Sequence, residues 1–149
     1  MVGCTGKTAY KERMERMHIH LDDDTCCLCD DQSRETASHL FGSCTWFKQV
    51  LAEVSLWTKD KFLVGNRRQV LLAIKRKHRK QFMNEFMAAV WGAIIYHTWR
   101  AKNLKNFKGI TVHTSDVVTL IRQDLVERVD FLKASKKARR CRFVQNILI

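Results

Sequence analysis

The 149-residue sequence contains no proline and six glycines. With so few breakers, long stretches are free to run as helix, and a turn-rich all-β fold is disfavoured. Long apolar runs are absent too. The longest, residues 87–96, covers ten positions, where a membrane-crossing helix needs roughly 20. The opening MVGCTGKTAYKERM has no apolar stretch of the kind a secretory signal requires. The expectation is a soluble chain, nuclear or cytoplasmic and not secreted. Catalytic signatures are missing as well: there is no Gly-rich phosphate loop, no G-x-S-x-G and no H-E-x-x-H. The adjacent acids at 22–24 and 30–31 sit in polar stretches. A two-metal polymerase site would need them on a strand turn, so no enzyme is expected.

What remains is globular in character, with 46% apolar and 28% charged residues, enough for one domain with a core. The net charge of +12 is unevenly placed: residues 1–58 carry six Lys/Arg against nine Asp/Glu, and residues 59–149 carry 21 against six. A basic C-terminal part points to a polyanion, most often nucleic acid; the plain alternative is a solvated basic surface without a ligand.

Apolar spacing predicts a helix over 8–17 (Tyr10, Met14, Met17) and a short one capped by Thr36 that carries His39, Leu40 and Phe41. A further helix is predicted over 45–57, with Phe47, Val50, Leu51, Val54 and Trp57 on one side. After the Gly65-Asn66 break, Val70, Leu71 and Ile74 suggest another that ends in the basic run 75–80. A long helix over 81–107 has a middle that is apolar nearly all round (Phe86, Met87, Val90, Trp91, Ile94, Ile95, Trp99), as a central bundle helix would. The last, capped by Thr114 or Ser115, has the stripe Val118, Ile121, Leu125, Val129 and Leu132. The expected fold is all-α: an irregular helical bundle with a metal loop near its start. Residues 1–58 form the metal region, 59–132 a basic helical region of the same domain, and 133–149 a basic tail.

Four of the six cysteines fall within 26–44. Cys26, Cys29, His39 and Cys44 give C-x₂-C-x₉-H-x₄-C, a donor set of three thiolates and one imidazole that suits tetrahedral zinc. Four protein ligands leave no open position, so one structural Zn²⁺ is expected. The blander reading makes these cysteines small buried residues and His39 an ordinary imidazole. Cys27 would form only a C-x-C pair with Cys29 and is placed outside the ligand set; Cys4 and Cys141 are isolated. Glu35 either bonds the other ring nitrogen of His39 or favours the start of the short helix through its dipole.

The string TCCLCDDQSRETASHLFGSCTWFKQV resembles the zinc-binding domain found after the reverse transcriptase of plant non-LTR (LINE-type) retrotransposons. The shared features are Cys26 and Cys29, Glu35-Thr36, His39-Leu40-Phe41 and Cys44, with residues 8–14 similar to the family's opening helix. Residues 95–103 and Phe107 resemble its Trp-x-x-Arg-Asn segment, Lys102 standing where that pattern has Arg. The resemblance covers roughly residues 8–107 and is densest from 26 to 57. It implies a zinc-binding, non-catalytic, nucleic-acid-related module, and a fragment or derived copy of a longer element protein.

Between 22 and 35 the metal loop holds six acids and one base, Arg34, and would repel phosphate. Contacts to RNA or single-stranded DNA are therefore expected from Arg67, Arg68, Lys75, Arg76, Lys77, Arg79, Lys80, Arg100, Lys102, Lys105, Lys136, Lys137, Arg139 and Arg140. Such phosphate contacts read little sequence. The run at 75–80 also reads as a nuclear-import signal. Trp46, Trp57, Trp91 and Trp99 could stack on bases, but each lies in an apolar stripe, where core packing is the stronger expectation. No membrane partner is expected. The competing functional class is a zinc-stapled protein–protein interaction domain whose basic face is incidental.

Overall fold

The computed structural model describes residues 16–18, 23–59 and 81–132. The predicted helix over 8–17, apart from its last two residues, lies outside them. So do the segment 60–80 and the tail 133–149. Among the described residues the fold is all-helical: a π-helical turn (His39–Ser43), then α1 (Thr45–Thr58), α2 (Gln81–Lys108) and α3 (Thr114–Leu132). An isolated antiparallel bridge between Thr25 and Arg34 is the one β-type contact among the described residues.

The metal loop closes on itself through that bridge. Cys26 N–H donates to the Ser33 carbonyl at 2.8 Å, and Glu35 N–H to the Asp24 carbonyl at 2.8 Å. Asp23 Oδ1 accepts from both the backbone N–H and the hydroxyl of Thr25, a local side-chain turn. Arg34 pairs with Asp24 at 3.1 Å, which ties up the loop's one base.

Thr36 caps the following turn as the sequence predicts, its hydroxyl accepting from His39 N–H at 3.0 Å. The turn then widens: Cys44 N–H reaches the His39 carbonyl, five residues back, at 2.8 Å. Such i→i+5 turns are uncommon and often mark functional positions.

Helix α1 has the predicted inner face, with Phe47, Val50, Leu51 and Val54 all buried and Trp57 half-buried. Phe41 meets Phe47 edge-on at 5.5 Å, which carries the core under the π turn. Helix α2 buries Phe82, Phe86, Met87, Val90, Ile94 and Ala101. Along its middle, Trp91, Ile95 and Trp99 are half-buried and Tyr96 is exposed. The all-round apolarity predicted for it thus resolves into one buried stripe with half-buried flanks.

Gly109, at φ +66°, ends α2; its N–H and that of Ile110 fold back onto the carbonyls of Lys105 and Leu104. This left-handed cap is one glycine adopts without steric cost. It turns the chain into α3, which packs on both α1 and α2.

In α3 the buried series is Val117, Ile121, Leu125 and Val129, and Val118 only flanks the core. Thr114 is already the first helical residue. Instead of capping, its hydroxyl donates to Glu53 Oε1 of α1 at 3.1 Å. None of these helices is long and apolar enough to cross a membrane.

Candidate metal centre

The closed loop supplies Cys26 and Cys29, and the π turn supplies His39 and, at its end, Cys44. Their donor atoms all lie within 4.8 Å of one another, and all four side chains are buried or nearly so. Cys29 Sγ is 3.3 Å from His39 Nε2. Around a tetrahedral zinc, ligand atoms stand roughly 3.5–3.8 Å apart, so small adjustments suffice to share one ion. The four cysteines 26, 27, 29 and 44 are free thiols.

The surroundings favour thiolates at some of these sulfurs. The Cys26 thiol is lowered to about 4, mainly because the Cys44 thiol donates to it, with help from the backbone N–H groups of Leu28 and Cys29. As the donor, Cys44 is pushed up, and burial adds to this, while the Phe47 N–H pulls the other way. Cys29 is raised by burial, against an opposing backbone N–H from Asp31. Three protonatable sulfurs crowded together cannot all hold negative charge without a cation, whereas a divalent ion would ionise them all. The backbone N–H groups facing the sulfurs are the partners that metal-bound thiolates need. The residues present therefore fit a divalent metal.

The Nδ1 nitrogen of His39, turned away from the sulfurs, lies 3.1 Å from Ser43 Oγ. That bond orients the imidazole, and it is not made by Glu35. Glu35 is fully buried and its Oε1 stands 2.7 Å from Lys102 Nζ, also buried. Sequence spacing could not anticipate a partner 67 positions away. Cys27 stays out of the cluster, its thiol facing the Lys102 carbonyl at 3.9 Å. Two separate contacts thus seat the metal loop on the same turn of α2.

Lys102 is consequently withdrawn from the surface and is not available to a phosphate, contrary to the sequence expectation; burial has committed its charge to Glu35. Arg100 is exposed, and Lys105 is half-buried and donates to Thr111 Oγ1 at 2.6 Å. Arg67, Arg68, Lys75, Arg76, Lys77, Arg79, Lys80, Lys136, Lys137, Arg139 and Arg140 lie outside the described residues. The four tryptophans are all half-buried, so none is sealed in the core.

Fold and site together define a helical domain with a Cys₃His cluster close enough to hold a metal ion. The chain matches no protein-family model, no curated protein and no solved structure.

Proposed function

We propose that the chain is a zinc-stabilised, non-catalytic nucleic-acid-binding module of the kind that follows the reverse transcriptase in LINE-type elements, acting in the nucleus or cytoplasm. The metal is one zinc, held structurally by Cys26, Cys29, His39 and Cys44, since four protein donors leave no position for a substrate.

The observation that carries the nucleic-acid reading is how charge divides along the chain. The described residues hold ten Lys/Arg against eleven Asp/Glu, while residues 60–80 hold eight against one and 133–149 six against none. The helical body is thus close to neutral, and the surplus sits in two short segments that flank α2 and α3 in sequence. Concentrated charge of that kind suits phosphate contacts that are strong, unspecific and salt-sensitive.

Fluorescence anisotropy of the whole zinc-loaded chain with single-stranded RNA and DNA tests this. Affinity is expected to fall steeply between about 50 and about 200 mM salt. No binding at either salt would refute it.

A second reading, a protein-interaction domain, is favoured by Phe107 and Ile110, exposed to 75% and 50% at the turn between α2 and α3. A defined complex or oligomer, with no nucleic-acid binding at any salt, would establish that reading instead.

A further inference from the structure

We propose that the hollow where the metal loop, α1 and the α2–α3 turn meet captures a single unstacked nucleobase together with its phosphate. This rests on the nucleic-acid reading above and names the part of the folded body that takes part in it.

The hollow encloses about 210 Å³. Pockets for drug-sized ligands run to roughly 300–1,000 Å³, so this smaller space suits one ring system and little more. Three segments distant in sequence build it: Leu28 from the metal loop, Trp46 and Gln49 from α1, and Lys105 and His113 from either side of the turn.

Trp46 supplies an aromatic face. Its indole N–H donates to the Val112 carbonyl at 3.3 Å, which fixes the ring before any ligand arrives and spares the entropy of ordering it. Gln49, exposed at the rim, offers an amide that both donates and accepts, the chemistry that meets a base edge. The Lys105 ammonium is held at the rim by Thr111; an ammonium has three donors, so that bond leaves capacity for a phosphate oxygen.

Charge sets the division of labour. A body with near-equal acids and bases cannot attract a polyanion by its net field, so it contributes by contact. Residues 60–80 and 133–149 supply the long-range attraction, and the hollow supplies a base-dependent increment. Bases in a duplex are stacked and paired, so only single strands can offer one to a concave site of this size.

The test compares, on the whole zinc-loaded chain, a single-stranded oligonucleotide of about 12 residues with an abasic strand of the same length and charge. The base-bearing strand is expected to bind about tenfold more tightly. Trp46→Ala should remove that ratio by deleting the stacking face. Gln49→Trp should remove it by filling the hollow without taking away core packing, with zinc content and helicity unchanged. Equal affinity for the two strands would overturn the base site while leaving the charge-based reading intact. Binding of neither strand would overturn both.

Discussion

Lys102 Nζ stands 2.7 Å from Glu35 Oε1, with both side chains out of solvent. This ion pair joins the metal loop to the C-terminal part of α2, 67 positions later in the chain. A buried pair contributes little net stability over a matched apolar pair, but breaking it strands a charge. Glu35→Gln or Lys102→Met alone is expected to cost about 3–5 kcal/mol, whereas Glu35→Leu with Lys102→Met recovers most of that loss. Urea denaturation of the three variants measures it; equal losses in single and double variants would mean the pair is not the source.

Loss of metal should act locally at first. The four donors join residues 26–29 to residues 39–44, whereas α2 and α3 share their own apolar interface. Chelation is expected to open amide exchange across residues 23–44 and leave α2–α3 largely helical, as read by hydrogen exchange and circular dichroism. Cys29→Ser and His39→Ala should each reduce bound zinc well below one equivalent by metal analysis.

Zinc uptake should release protons. In the metal-free protein Cys26 is lowered to about 4, hence ionised at neutral pH, while Cys29 and Cys44 are raised and carry theirs. Binding at pH 7 is therefore expected to release about two protons. Calorimetry in two buffers of different ionisation enthalpy counts them. For the metal-free fold the depressed Cys26 contributes stability that is full above its ordinary value of 9.0 and fades as pH falls towards 4.

His97, almost fully buried on α2, meets Asp124 Oδ2 of α3 through Nε2 at 2.7 Å, while its buried Nδ1 has no partner among the described residues. Asp124→Ala would leave both ring nitrogens unsatisfied. The expected cost is about 1–3 kcal/mol, seen as a lower Tm, and Asp124→Asn should retain part of the bond.

The register of α3 is testable by paired truncation. Val117→Ala should cost about 2 kcal/mol, because it removes fully buried methyls and leaves a void. The same change at half-buried Val118 should cost less than half as much.

Where neighbours in sequence decide structure, the sequence was readable. The donor spacing, the Thr36 cap and the inner face of α1 rest on residues within a turn or two of each other. The start of α1 at 45 and the end of α2 at 108 follow from the same local periodicity. The misreadings arise where distant segments decide. Lys102 looks like one more surface base until Glu35 arrives from the metal loop. Thr114 looks like a cap until Glu53 offers its carboxylate. Val117 and Val118 are equally apolar, and only the angle at which α1 and α2 approach α3 selects between them. The hydroxyl that orients His39 leaves no mark in the sequence although Ser43 lies only four residues on, because a serine there carries no distinctive pattern.

The widened turn at 39–43 fixes a rotational phase. One residue of helix corresponds to about 100°, so removing a single position there would swing Cys44 away from its three companions. The same swing would carry the face of Phe47, Val50 and Val54 off α3, since Cys44 leads directly into that helix. Gly42 has open space around its Cα, so a side chain is expected to be tolerated there when a deletion is not. Chain length at this point thus adjusts coordination and core together, and evolution could alter neither without the other.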